Sequence, residues 1–338
     1  MEYRLEELFD LQMGKTPSRN KSEYWGTDEN KWISIADLSK CGKYIYETKE
    51  CLSNVAVAES GISQIPAETV VMSFKLSIGK TAITPEPMYS NEAIMSFRDK
   101  HVVDLFPEYI YYLLLSRDWD EGTNKAVMGK TLNKATLSKV KVRIHSYNEQ
   151  QEIVSVLNTA ATIIEARQKE LEKLDELIKA RFVEMFGDPV TNPNNLPIAT
   201  LGELSELITK GASPSWQGFS YTEDSSQTLF VTSENVREGY LDISSPKYIE
   251  DGFNEKQKRS VIHKGDFLIN IVGASIGRAA QFNLECKANM NQAAALVRVK
   301  DNRIRDKYLL IYLNSDKAQI MYNSMKSYKS SNFIIESI

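Results

Sequence analysis

The chain has 338 residues, enough for two domains, and its 42% hydrophobic and 25% charged residues match an ordinary globular composition. No run of about 18 apolar residues is present to span a bilayer, and the charged start Met1–Asp10 lacks a signal-peptide core, so no membrane association is expected. A formal net charge of −4 argues against a nucleic-acid partner only until the distribution of the charge is considered.

In chain order, the first recognisable element runs Leu5-Glu6-Glu7-Leu8-Phe9-Asp10-Leu11 and is followed by Gly14-Lys15-Thr16-Pro17-Ser18. Val70-Val71-Met72-Ser73 reads as a buried strand, and Ser77-Ile78-Gly79-Lys80 as a tight turn into a further strand. After Asn91-Glu92-Ala93, Pro107 opens a helix whose apolar stripe is Ile110, Leu113 and Leu114. From Gly122 to Asn148 there is no acidic residue, while Lys125, Lys130, Lys134, Lys139, Lys141 and Arg143 all fall there. An acidic chain that keeps an acid-free basic segment reserves positive charge for one place.

A change of pattern follows Tyr147. Ile153, Leu157, Ala160, Ile164, Arg167, Leu171, Leu174, Ile178, Arg181 and Met185 alternate spacings of four and three, the a/d seam of a coiled coil. Neither Gly nor Pro occurs between Asn148 and Phe186, and Gly187 and Pro189 supply the stop. Such a helix is about 58 Å long at about 1.5 Å per residue, which predicts a partner helix along its seam. Residues 191–197 then form a polar, proline-containing connector.

Beyond the connector the first elements return in order at a spacing of about 200 residues. Leu201-Gly202-Glu203-Leu204 and Gly211-Ala212-Ser213-Pro214-Ser215 repeat the opening. Leu268-Ile269-Asn270-Ile271 with Ser275-Ile276-Gly277-Arg278, Asn291-Gln292-Ala293 and Tyr308–Tyr312 repeat the rest. The second helix is expected to begin near Asp306 as N-cap and to bury Leu309, Leu310 and Leu313. A second basic stretch, Lys317 to Ile335, carries Lys317, Lys326 and Lys329 without an acid. The expected fold is therefore α+β: two duplicated domains, 1–147 and 199–338, joined by a coiled-coil helix, 148–187, and a linker, 188–198.

Catalytic signatures are missing. Gly-Lys-Thr at Gly14, Gly79 and Gly129 lacks the glycine five positions earlier that a phosphate-cradling loop needs; Phe9, Phe74 and Asn124 stand there. Cys41, Cys51 and Cys286 are scattered and read as packing residues of a reducing compartment, and His101, His145 and His263 form no metal-ligand spacing. The chain reads as one that binds rather than catalyses, without a metal or cofactor of its own.

Two modules with a Gly-x-Thr-Pro-Ser-like entry loop and a basic segment before a long helix resemble the specificity subunits (HsdS) of type I restriction–modification systems. Asn148-Glu149-Gln150-Gln151-Glu152-Ile153 resembles the start of the central helix in that family, and Lys179–Pro189 resembles the junction after it. The resemblance spans essentially the whole chain. It implies two target recognition domains, each reading one half of a bipartite site in double-stranded DNA. It also implies a helix that spaces them and docks methyltransferase subunits carrying S-adenosylmethionine, with restriction/motor subunits joining, all in the cytoplasm.

On that basis DNA contacts are expected from Lys15, Thr16, Ser18, Arg19, Lys75, Ser77, Lys80, Lys130, Asn133 and Lys134 in the first module. In the second they are expected from Ser213, Ser215, Trp216, Ser275, Arg278, Lys326, Lys329, Ser330 and Asn332. The helix interface is expected from Ile153, Leu157, Ile164, Leu171, Leu174, Ile178 and Met185. Carrying the repeat offset to the end sets Ile338 opposite Lys139, so a second long helix is missing and the chain reads as truncated. A second specificity chain is then a further candidate partner for the seam. The alternatives are a coiled-coil adaptor with no DNA role and an inactive truncated specificity fragment.

Overall fold

A computed structural model describes residues 1–75, 77–119, 132–189 and 191–325. The chain divides into two compact units, Met1–Arg167 and Gln168–Ile338.

In the first unit a four-stranded antiparallel sheet runs in the spatial order Phe9–Met13, Ile94–Asp99, Thr69–Ser73, Thr81–Thr84. The inner strand Thr-Val-Val-Met-Ser is buried along its whole length, because both faces of the sheet are covered. Alternate residues point to opposite sides. Val70 and Met72 pack with Tyr109, Ile110 and Leu114 of the helix Pro107–Leu115. Val71 packs with Ile33, Ala82 and Ile94 on the other side, where Trp25–Ile33 pairs with Glu50–Leu52 and runs parallel to Tyr89–Ser90.

The second unit repeats this plan. Its sheet has the order Ser205–Lys210, Ala294–Val299, Phe267–Asn270, Ala279–Gln281, again antiparallel throughout. Phe267 and Ile269 face Leu309 and Leu313 of the helix Asp306–Leu313, while Leu268 faces Leu229 and Val231. Thr228–Val231 runs parallel to Ala288–Met290, as Trp25–Ile33 does to Tyr89–Ser90. Two readings need correction here. Arg305 is the N-cap and Asp306 the first helical residue, its carboxylate taken by Gln281 Nε2 at 2.7 Å. Cys286 is exposed and is not a packing residue.

The predicted long helix runs from Tyr147 to Phe186, and Gly187 closes it with a positive φ of 82° and an N–H bond to the Val183 carbonyl at 2.8 Å. Its start is fastened to the first unit. Gln150, fully buried, accepts from Phe106 N–H at 2.8 Å and donates to the Asp104 and His145 carbonyls at 3.0 Å each. Two turns on, Asn158 accepts from Tyr112 and Lys43 and donates to Glu108 at 2.9 Å. Burial alone would raise the Glu108 carboxyl, but the Asn158 bond and the Lys43 ammonium bring it below the usual carboxylate range.

The duplication extends to a backbone contact. Gly14 N–H bonds the Ile94 carbonyl at 3.2 Å and Gly211 N–H bonds the Ala294 carbonyl at 3.3 Å. A β-carbon on Gly14 would lie 2.1 Å from the Ser90 carbonyl oxygen, and one on Gly211 2.2 Å from that of Met290. Gly14→Ala and Gly211→Ala are each expected to lower stability by about 1–3 kcal/mol in urea unfolding, as overpacking against backbone does. Gly202→Ala, whose nearest neighbour would be Thr200 Oγ1 at 3.8 Å, serves as the control and should be neutral or stabilising. Equal losses at all three sites would contradict this account.

Candidate nucleic-acid interface

The chain leaves the strand Phe9–Met13 at Gly14 and enters a loop held from several sides. Lys15 N–H bonds the Ser90 carbonyl at 2.8 Å, and the indole N–H groups of Trp32 and Trp25 donate to the Lys15 and Ser18 carbonyls at 3.1 Å each. The Arg19 guanidinium lies 3.7 Å over the Trp25 ring and donates to both Glu50 oxygens, at 2.5 and 3.0 Å. These bonds hold the Glu50 carboxyl below its ordinary range, and the Thr16 hydroxyl does the same for Glu92. Arg19 and Thr16 thus already have internal partners. The Lys15 ammonium reaches the Ser60 carbonyl, and Ser18 is exposed.

The turn after strand Thr69–Ser73 lies beside this loop. Lys75 is close enough to Glu92 for its charge to lower the carboxyl further. Leu132 N–H donates to the Phe74 carbonyl at 3.1 Å, which brings the start of the basic segment to the same turn. There Asn133 caps the helix Lys134–Ser138, accepting from Thr136 N–H at 2.8 Å, and Lys134 is exposed. Ser77 and Lys80 are also exposed. Lys75, Lys80 and Lys134 form no ion pair among the described residues, so their charge is available to an anion. Segments near positions 15, 75, 92 and 133 therefore meet on one surface, while Lys130 lies outside the described residues.

In the second unit, among the described residues, Ser213, Ser215 and Trp216 share the entry turn, and Ser275 and Arg278 share another, the Arg278 N–H bonding the Ser275 carbonyl at 3.2 Å. Ser213 precedes the single-turn helix Pro214–Gln217, its hydroxyl 3.2 Å from that of Ser215, and Trp216 is 90% exposed. The Ser275 hydroxyl accepts from the buried Asn270 amide at 3.1 Å. Arg278 lines a separate hollow of about 690 Å³ with Lys179, Phe182, Glu238, Tyr240 and Asp316. Lys326, Lys329, Ser330 and Asn332 lie outside the described residues.

Along the long helix, Ile153 packs against the first unit's core. Leu157, Ile164, Leu171, Leu174, Ile178 and Met185 are exposed, Ile164 by 70% and Leu174 by 48%. Phe182 is the buried residue near the other end, ringed by Phe186 and Tyr308 with centroids 5.1 Å away. Sequence reasoning missed Trp25, Trp32 and Glu50, and it named Gln150 only as part of the helix-start motif, without its buried role. Glu92 was visible only as a member of a repeated triplet.

The sequence profile described as "Type I restriction modification DNA specificity domain" matches residues 1–176. The chain is 30% identical over 215 residues to the type I restriction enzyme MjaIX specificity subunit of Methanocaldococcus jannaschii, covering 62% of this chain and 48% of that protein. It is 27% identical over 184 residues to the EcoR124I/EcoR124II specificity subunit of Escherichia coli, covering 49% of this chain and 44% of that one. The matches thus span about half the length of these relatives. A chain solved in work on complex assembly and conformational transition of the type I R-M system shares the fold. Its TM-score is 0.53 at 17% identity, over 95% of this chain and 80% of that one.

The entry loop should respond to acid and not to pH near neutrality. A carboxyl held below its ordinary range contributes stability above the unfolded-state pKa and loses it as pH falls through the folded value. The Trp25 and Trp32 emission should therefore be flat around neutral pH and change below about pH 4. Glu50→Gln should produce the loosened signal at neutral pH, at a stability cost of under about 1 kcal/mol because the pair is half exposed. An unchanged emission in that variant would show that Glu50 does not order the loop.

Proposed function

The chain belongs to the type I restriction–modification DNA specificity family, and from that premise we propose that it is a non-catalytic, sequence-specific DNA-binding subunit whose two modules each read one half of a bipartite site. The observation that carries this reading is the repetition of one sheet order, with one entry-loop contact, before and after an uninterrupted helix. Two readers joined by a stiff element suit two short words at a fixed separation.

On this reading residues 1–147 and 199–338 are the recognition domains, 148–187 is the spacer and 188–198 the linker. The clustered Lys75, Lys80 and Lys134 make phosphate contacts, and the loops around them supply base contacts. The exposed seam from Leu157 to Met185 receives helices of methyltransferase subunits, which bind S-adenosylmethionine and modify adenine, or of a second specificity chain. Restriction subunits join the same assembly. It works in the cytoplasm; no helix among the described residues is long and apolar enough to cross a membrane.

Co-expression with the methyltransferase subunit, followed by genome-wide mapping of adenine methylation, should give one two-part motif. No motif would leave either the protein-interaction adaptor or an inactive specificity fragment. In the purified assembly, Lys75→Glu with Lys134→Glu should weaken duplex binding for all sequences alike. It should also flatten the slope of log affinity against log salt by about 2. An unaltered slope would remove this surface from the footprint.

A further inference from the structure

The entry loops of the two units differ most at their last position. Gly14-Lys15-Thr16-Pro17-Ser18-Arg19 corresponds to Gly211-Ala212-Ser213-Pro214-Ser215-Trp216. In the first unit the residue at that place is folded down, its guanidinium over Trp25 and against Glu50. In the second it is an indole 90% exposed to solvent, with no hydrogen-bond acceptor for its N–H among the described residues.

The mount of this indole is rigid. Pro214 is buried, and Gly218, with a φ of 83°, turns its N–H back to the Pro214 and Ser215 carbonyls to close the single turn. Phe219 packs edge-on against the buried Phe253 at 5.6 Å, and Phe253 in turn against Phe230 at 5.4 Å. The Lys256 ammonium holds the Gln217 carbonyl at 2.8 Å from the side. A large apolar ring held out on a fixed turn loses little ordering entropy when a partner covers it. Its neighbours on the turn, Ser213, Ser215 and Gln217, offer hydroxyls and an amide rather than an apolar patch. That setting suits a flat partner with polar edges, a nucleobase, better than a protein core, which needs contiguous apolar area.

We propose that Trp216 is the base-stacking wedge of the second module: on DNA binding its indole lies against the face of a base at an unstacked step. The first module has no counterpart, because Arg19 is retained by Glu50 and Trp25. The inference rests on the DNA-reading function proposed above and adds the mode of contact at one half-site.

The test uses the full chain assembled with its methyltransferase subunit and a pool of random-sequence duplexes, from which bound molecules are selected and sequenced. Of the four tryptophans, Trp32 and Trp119 are buried and Trp25 is half-buried under Arg19, so the iodide-quenchable emission that Trp216→Phe removes is that of Trp216. An enriched duplex should quench that emission and shield it from iodide. Trp216→Phe should remove the Trp216 component of the response, leaving only that of Trp25, and keep affinity within about threefold. Trp216→Ala should weaken binding about 5- to 100-fold and blur base preference in one half of the motif only. Bound wild-type protein with unchanged emission, or a Trp216→Ala assembly with the same motif and affinity, overturns the wedge alone. Loss of the methyltransferase subunit from Trp216→Ala with DNA binding retained also overturns it, and assigns the ring to a protein contact. If the wild-type assembly enriches no sequence, the DNA-reading function fails and the wedge with it.

Discussion

At Gly14 and again at Gly211 the chain passes so close to the end of a neighbouring strand that only a hydrogen atom fits on the α-carbon. This contact is the hinge on which each unit's surface depends. It fixes where the first sheet strand ends, and it forces the next residues across the loop that carries Asn91 or Asn291. The same asparagines then order their own loops, each side chain accepting from the N–H two residues on, at 3.0 and 3.1 Å. Gly79 and Gly277, both at a φ of 87°, turn the chain between the two following strands in the same way. A small set of backbone constraints therefore sets the positions of three loops in each unit, independently of what their side chains present.

The long helix is held by different physics at its two ends. Near its start, Gln150 and Asn158 satisfy buried or half-buried polar groups, which fixes direction because hydrogen bonds are angular. Near its end, Phe182 packs with Phe186 and Tyr308, a contact that depends on area more than on angle. Between these anchors lies an exposed apolar seam. A solvated linker gains nothing from Leu171 and Leu174, and this supports the proposal that another helix lies along the seam.

Much of this frame was legible in the sequence, because the signals were periodic or repeated. The heptad spacing marked the long helix, and the repeated segments around Gly14, Val70 and Asn91 marked both sheets. The entry-loop packing was not legible. Its partners Trp25, Trp32, Glu50 and Glu92 come from distant positions, and nothing local in the sequence records that an arginine at 19 will lie over an indole at 25. Gln150 stood in the helix-start motif, but its role was hidden for a related reason: a polar residue at a helix start looks solvated until the carbonyls it serves are placed around it. Exposure also decided against the packing role of Cys286, since a lone thiol in a loop carries no pattern that distinguishes inside from outside.

Equal backbones with unequal side chains fit the proposed function, in which two modules read two different words. Thr16 bonds Glu92 in the first unit, whereas Ser213 and Gln292 occupy those places in the second. Ser73 bonds the Ser77 carbonyl, whereas Asn270, which takes its place in the structure one position before the Ile271 that the sequence match set opposite it, reaches the Ser233 and Val236 carbonyls and the Ser275 hydroxyl. In both units the backbone bonds around these residues are the same: Ser73 N–H to the Lys80 carbonyl and Asn270 N–H to that of Arg278, each 2.9 Å. Side-chain chemistry at the loops thus varies without disturbing the frame, since the frame is closed by backbone groups and glycines. One fold can then present a cationic surface at Lys75 and Lys134 in one copy and a bare indole at Trp216 in the other.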